Sequence, residues 1–254
     1  MAEKFSEGVA SWQNKLGLVR DAVRQELVSR QLLEHLPSPA LDINVLDVGS
    51  GQGTQAIHLA NLGYAVTGVE PSEELRKIAE QDSERTANPV RFLNGTLENM
   101  PTEAGSGFDV VCCHGVLMYL PELEASVSRL VSLVRPGGIL SVLTRNRASI
   151  AMRAGMSQDW LSAIKGFDER YYANRLGINE VRADEPEEVI ESLRRNGAEL
   201  INWFGVRLFT DHWEDQPLPE DFDELVEAEY QAGRRDPYRQ LTSLTHVIAQ
   251  RAKI

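Results

Sequence analysis

Gly49, Gly51 and Gly53 stand at alternate positions directly after the apolar run Val45-Leu46-Asp47-Val48, and Glu70 ends a second apolar run. A glycine turn after a buried strand lets backbone N–H groups and a helix N-terminus come close to a polar ligand. An ionised carboxylate is acceptor-only, so Glu70 can take both hydroxyls of a ribose. Asp47, at the strand end, can orient a ligand ammonium through the loop backbone or a water. Together these residue types point to a nucleotide-bearing cofactor. Dinucleotide sites space their glycines G-x-G-x-x-G; here the spacing is G-x-G-x-G, and no hydride-transfer constellation accompanies it. The bland alternative is that the glycines serve the turn alone and Glu70 merely precedes a helix start at Pro71-Ser72.

These side chains need elements to hold them. Val19, Val23, Leu27, Leu32, Leu33 and Leu36 recur at helical spacing and stop before Pro37 and Pro39, which predicts one or two N-terminal helices. The pattern then predicts a strand at 43–46, a helix at 54–61, a strand at 65–69, a helix at 73–84 and strands at 90–93 and 108–113. A helix at 123–134 and a strand at 139–144 follow, the latter after the turn Pro136-Gly137-Gly138. Strands alternating with helices imply a parallel sheet covered on both faces, with right-handed crossovers. From 146 to 184 no period is clear, and such segments in compact domains are often lids. A helix at 187–196, a strand at 200–210, a helix at 217–235 and a strand at 243–250 complete the chain. Glu214, Asp215, Glu220, Asp221, Asp223, Glu224, Glu227 and Glu229 make the approach to, and first part of, that last helix a solvated acidic face.

The 254 residues suffice for one α/β domain with appendages. A formal charge of -12 favours solubility and offers no global attraction to phosphate backbones or anionic membranes. Cys112 and Cys113 are adjacent within an apolar run, so they read as buried strand residues rather than a disulfide framework, and a reducing cytoplasm fits. Neither a signal pattern nor an apolar stretch long enough to span a bilayer is present, and no cluster has metal-ligand spacing.

The turn Asp47-Val48-Gly49-Ser50-Gly51-Gln52-Gly53 resembles the first motif of class I S-adenosylmethionine (SAM) methyltransferases. Further segments resemble the bacterial tRNA 5-carboxymethoxyuridine methyltransferases, which esterify a wobble-uridine carboxylate. These are Ala2-Glu3-Lys4-Phe5-Ser6, His114-Gly115-Val116-Leu117, Gly205-Val206-Arg207-Leu208-Phe209-Thr210-Asp211, Asp236-Pro237-Tyr238 and His246-Val247. The resemblance implies an α/β, doubly wound, Rossmann-like fold whose seven-stranded, mostly parallel sheet ends in an antiparallel last strand, with N-terminal helices and a lid insertion. One methyltransferase domain spans 1–254: a helical cap at 1–40, a SAM-binding core at 41–145, a lid at 146–184 and the rest of the sheet at 185–254, with an acidic helical insertion at 213–240. The implied cofactor is SAM, with S-adenosyl-L-homocysteine as product. Its contacts by resemblance are Arg20 on the SAM carboxylate, Gly49 with Ser50, Glu70 on the ribose, Leu97 with Glu98 at the adenine, and His114 near the sulfonium; the residue types of the turn add Asp47, Gly51 and Gly53.

Methyl transfer from a sulfonium chiefly needs a nucleophile held close, aligned and dry. A carboxylate acceptor, which loses its proton near pH ~4 in water, needs no base; an alcohol, phenol or amine can require one, for which His114, His212 and His246 are available. Arg207 is the candidate for holding an anionic acceptor, with Tyr119, Asn146 and Tyr238 completing the pocket, and His114 and Arg207 are the catalytic candidates. Arg207 can equally be a structural partner of Asp211. The acceptor stays open between tRNA and a small molecule. Within the expected lid, Phe167-Asp168-Glu169-Arg170-Tyr171-Tyr172 and Asn174-Arg175-Leu176-Gly177 are mixed in charge, and Arg145, Arg147, Arg153 and Arg175 form either a local basic surface or a salt-bridged lid. A protein of another class, a SAM-binding regulator without turnover, is the remaining alternative.

Overall fold

A computed structural model describes residues 17–253 apart from 87, 175–177 and 179. The segment Ala2-Glu3-Lys4-Phe5-Ser6, and Arg175, Leu176 and Gly177, therefore lie outside the described residues.

Seven strands form one sheet: β1 (Asn44–Val48), β2 (Ala65–Val69), β3 (Arg91–Leu93), β4 (Phe108–His114), β5 (Val134–Arg145), β8 (Ala198–Val206) and β9 (Leu244–Arg251). Their order is β3-β2-β1-β4-β5-β9-β8. β1 to β5 pair in parallel, and the last strand, β9, runs antiparallel to both its neighbours. The Rossmann-like sheet expected from the sequence is therefore present, antiparallel last strand included.

Side-chain alternation along these strands decides where the chemistry can sit. Leu46, Val48, Val111, Cys113, Leu140, Val142, Val247 and Ala249 face α4 (Leu123–Leu133) and α7 (Pro186–Arg195), through Val127, Leu130, Val189 and Leu193. The residues between them, Val45, Val110, Cys112 and Ile248, belong to the opposite face, under α2 (Thr54–Leu62) and the end of α1 (Val19–Leu33). Asp47, His114, Ser141, Leu143, Arg145 and His246 share this second face by register. Val19, Val23 and Leu27, one helical stripe of α1, are fully buried over it with Leu143, Val206 and Leu244. Each such side chain contributes about 1.5–3 kcal/mol relative to exposure. Both cysteines are buried and unpaired in a disulfide, as strand residues should be.

Four local readings change. The segment 146–184 is not irregular: it folds into α5 (Ala148–Met156), α6 (Trp160–Gly166) and a two-stranded ribbon of β6 (Tyr171–Tyr172) with β7 (Val181–Arg182). β5 starts at Val134, so the Pro136-Gly137-Gly138 turn is absorbed into an irregular strand start, with a register shift opposite Phe108 and Val110. The helix near 217–235 is α8 (Phe222–Gly233), shortened at its start after Pro217 and Pro219. β8 ends at Val206 rather than at 210, because Arg207 turns the chain at φ +63°. The next backbone N–H groups leave the sheet: Leu208, Phe209 and Thr210 donate to the Glu229 carboxylate at 2.6, 3.0 and 2.8 Å. Glu229, expected on the solvated acidic face, is thus 1% exposed, while the other seven acids of that run are exposed. Among the described residues no helix is long and apolar enough to cross a membrane.

Candidate functional site

The carboxyl ends of β1, β2, β3, β4 and β5 open into one cavity of about 350 Å³, closed over by the start of α1, by Tyr172 and Asn174, and by the turn after β8. That is where an open α/β sheet places ligands. Its floor is the turn after β1. Gly49 and Gly51 adopt φ +69° and +56°, and a Cβ on Gly49 would lie 2.2 Å from Val116 Cγ2, in the cavity wall. Gly53 begins α2 at φ +84° and is held by packing instead, since a Cβ there would meet Phe92 and, on α3 (Glu73–Ser83), Ala79.

Two acids stand beside this turn. Glu70 accepts from Gly51 N at 3.0 Å and Ser72 N at 2.9 Å, which aims its carboxylate into the cavity and ties the ends of β1 and β2 together. Burial nonetheless raises the Glu70 carboxyl above its ordinary value, against those two backbone donors. Asp47 lies one layer deeper. Burial, then the charge of Glu70, pushes it up to about 7. No hydrogen bond reaches its carboxylate among the described residues, so a buried acid waits beneath the turn for a cation or donor.

At the far end of the cavity Asp211 is surrounded by guanidinia. Arg20 Nη2 lies 3.4 Å from Oδ1, Arg207 Nη2 3.3 Å from Oδ1 and Arg145 Nη2 3.4 Å from Oδ2. Arg20 also meets Asp215 at 3.4 Å. Ser243 Oγ accepts from Arg145 at 2.5 Å and Arg207 at 3.1 Å and donates to Asp211 at 2.7 Å. Burial alone would raise the Asp211 carboxyl, but Arg145 and Arg207 hold it well below the usual carboxylate range. Burial pushes Arg207 down to about 10, with Asp211 opposing and Arg20 and Arg145 adding repulsion, so it stays charged at neutral pH. The buried Nε atoms of Arg145 and Arg207 have no acceptor among the described residues. The cluster holds more positive than negative charge, and an anion can complete it.

Of the sequence candidates, Arg20, Gly49, Gly51, Glu70, Leu97, Glu98, His114, Tyr119 and Arg207 line this one cavity. Asp47 and Ser50 lie behind the turn. Asn146 and Tyr238, expected in the acceptor pocket, do not line this cavity. Asn146 is buried, donates to Gln240 O at 2.9 Å, and borders a separate open cavity near Trp160 and Phe167. Tyr238 is half exposed on a short 3-10 turn, Tyr238–Leu241, outside both cavities. Arg147 is likewise occupied elsewhere, on Glu185 at 2.9 Å, whereas Arg145 and Arg153 do reach the main cavity. The sequence reading missed Arg24, Asp215 and Tyr172 as lining residues and Ser243 as the bridge of the arginine cluster. The only signal for Arg24 was its helical offset of four from Arg20, on a helix otherwise read for its apolar stripe.

Comparison with known proteins identifies the architecture. Residues 46–142 match the family described as "Methyltransferase domain". The chain is 25% identical to the tRNA 5-carboxymethoxyuridine methyltransferase of Escherichia coli (strain K12), over 99% of this chain and 94% of that one. It is 30% identical to the ubiquinone biosynthesis O-methyltransferase of Xanthomonas axonopodis pv. citri, over 72% of each. The fold matches a SAM-dependent methyltransferase from Thermotoga maritima, described as a possible histamine N-methyltransferase, with a TM-score of 0.67 at 17% identity over 99% and 100% of the two chains. A Listeria monocytogenes structure, described as a "putative S-adenosylmethionine dependent methyltransferase", gives a TM-score of 0.63 at 20% identity, over 91% and 99%. The chain belongs to the class I SAM-dependent methyltransferases. It is an enzyme, and SAM is its cofactor.

Proposed function

We propose that this methyltransferase esterifies a carboxylate, and that the carboxylate is the 5-carboxymethoxy group of a tRNA wobble uridine. The observation that carries the proposal is the arginine cluster: Arg145 and Arg207 share one buried carboxylate at the end of the cavity and keep buried N–H groups without acceptors among the described residues. The end-to-end similarity to the E. coli tRNA enzyme supports the choice of carrier, and a tRNA acceptor goes with a cytoplasmic enzyme. The -12 charge favours a second reading, in which the same cluster takes a small anionic metabolite.

In this reading Gly49, Ser50 and Gly51 leave room for the amino acid end of SAM, Asp47 neutralises its ammonium, Arg20 faces its carboxylate, Glu70 takes the ribose and Leu97 and Glu98 flank the adenine. The fit rests on Asp47, a buried carboxylate with no donor among the described residues, and on Gly49, where a Cβ would collide with Val116 in the cavity wall. When bound, SAM supplies a methyl group activated on a sulfonium. Arg207 and Arg145 hold the acceptor carboxylate, already ionised at neutral pH, in line with that methyl; no base is required. Tyr172, stacked under the Arg145 guanidinium at 5.0 Å, and Tyr119, accepting from Asn174 at 3.0 Å, close the cavity and exclude water.

The test is transfer from labelled SAM to tRNA carrying carboxymethoxyuridine and to pooled small acids. Methyl ester on the tRNA is expected. Label appearing only in the small acids selects the second reading, and label in neither overturns the carboxylate assignment. Arg207→Ala is expected to raise the acceptor KM by about ten- to a hundredfold, the loss of one charge-assisted bidentate contact, with SAM affinity by calorimetry within about twofold. An equal loss for SAM would remove Arg207 from the acceptor site.

A further inference from the structure

Behind the cavity a chain of polar side chains crosses the sheet under α1. His114 Nε2 lies 2.8 Å from Ser141 Oγ, Ser141 Oγ 2.8 Å from His246 Nε2, and His246 Nδ1 2.8 Å from Gln31 Oε1. Gln31 Nε2 donates to Gly205 O at 3.2 Å and ends the chain. Ser141, His246 and Gln31 are fully buried, and only His114 reaches the cavity. Register builds the line: His114 pairs with Leu143, Leu143 with His246, and Ser141, two residues earlier on β5, points to the same face.

The direction of every proton in this chain follows from its end. The Gly205 carbonyl can only accept, so the amide nitrogen of Gln31 faces it and Gln31 Oε1 faces His246. His246 Nδ1 must then carry the hydrogen, which leaves Nε2 bare. Ser141 therefore donates its hydroxyl hydrogen to His246 and offers its lone pair to His114, whose Nε2 carries the hydrogen. Both imidazoles are neutral in this pattern, and burial, with Arg24 beside His114 and the two rings 5.4 Å apart, disfavours their charged forms. Of the nitrogens in these two rings, His114 Nδ1 alone is left without a hydrogen or a partner among the described residues.

We propose that Gln31, His246 and Ser141 are positioning residues that fix His114 as its Nε2–H tautomer, so that Nδ1 serves as a hydrogen-bond acceptor for an N–H or O–H group of the ligand in the cavity. The device is independent of which acceptor the enzyme methylates. Its energetic logic is that of a buried network satisfied at every atom but one: an oriented lone pair costs no reorganisation when the donor arrives. Reversing the tautomer would put a hydrogen against that donor.

Long-range proton–nitrogen NMR of the nitrogen-15-labelled enzyme tests it, with His114→Gln assigning the His114 signals. At neutral pH His114 is expected as the Nε2–H form. Ser141→Ala and Gln31→Met are expected to give mixed tautomers and to lower kcat/KM by about ten- to a hundredfold. Gln31→Glu, in its protonated form, keeps a donor for Gly205 O and an oxygen accepting from His246 Nδ1, and is expected to preserve the tautomer, which a purely packing role for Gln31 does not predict. Circular dichroism and thermal melting establish that each variant folds, and the wild-type tautomer measurement stands without them. A hydrogen-bond shift of Nδ1 on adding S-adenosyl-L-homocysteine alone identifies the cofactor as the donor, and a shift only with acceptor present identifies the acceptor. An Nδ1–H form in the wild type, an unchanged tautomer in both breaking variants, or no Nδ1 shift with either ligand would overturn the proposal.

Discussion

Asp47, buried behind the glycine turn, is the residue at which the proposed cofactor contact is open to a pH test. Its carboxyl is raised to about 7 by burial and by Glu70, whereas in the unfolded chain it titrates near pH ~4. A raised folded value means that the stability associated with its protonated form is complete below about pH 4 and is lost as the pH climbs through 7. The cofactor-free enzyme is therefore expected to melt at progressively lower temperature from about pH 5 to about pH 8, and Asp47→Asn to flatten that slope. A bound ammonium reverses the balance, because it favours the ionised acid. SAM binding near neutral pH is expected to release up to one proton, read as a dependence of the calorimetric enthalpy on buffer ionisation, and Asp47→Asn to abolish the release. A buffer-independent enthalpy in the wild type would remove the ammonium from Asp47.

Among the elements, the turn after β8 brings Arg207 to the cavity, and periodicity could not find it. Apolar residues continue through Leu208 and Phe209, so the strand looks unbroken to 210. The break comes from tertiary structure: Glu229 on α8 takes three backbone N–H groups and the Thr210 hydroxyl, the last at 2.7 Å, and holds Arg207 in a left-handed conformation that an arginine adopts only under constraint. The glycine turn and Glu70 were legible because their signal is local, a spacing within one strand–turn–helix unit. The partners of Asp211 come from α1, β5 and the turns flanking β8 and β9, and nothing in a linear pattern brings Arg20, Arg145, Arg207 and Ser243 together. Asn146 and Tyr238 lie apart from the cavity for the same reason, Asn146 held by Gln240 and Tyr238 on a 3-10 turn, neither of which a linear pattern shows. Glu229→Gln replaces an accepting oxygen by a donor facing backbone N–H. It is expected to destabilise the fold by about 1–3 kcal/mol in denaturant unfolding and to raise the acceptor KM while SAM affinity is kept. Loss of SAM affinity in proportion would mean that the turn supports the whole cavity rather than its acceptor end.

Across the whole molecule the two signals about the acceptor separate in space. Negative charge lies outside, on the approach to α8 and its exposed side, where Glu214, Glu220, Asp221, Asp223, Glu224 and Glu227 are exposed. Inside, Arg20, Arg24, Arg145, Arg153 and Arg207 line the cavity together with the acids Asp21, Glu70, Glu98 and Asp215, and Arg145 and Arg207 stand at its arginine-rich end. A polyanion approaching this surface gains little from counterion release, so on the proposed tRNA reading recognition comes from one nucleotide entering the cavity rather than from a backbone track. Each neutralised phosphate contributes about −0.7 to the slope of log K against log salt for single-stranded contacts. Binding of a carboxymethoxyuridine anticodon stem-loop is therefore expected to show a shallow slope, about −1 to −2, and to depend on the carboxylate: the same loop with unmodified uridine is expected to bind at least about tenfold more weakly, the worth of one charge-assisted contact. Fluorescence anisotropy across a salt series measures both. A steep slope with equal affinity for the two loops would mean that phosphates carry recognition and that the interior arginines serve only to bury Asp211.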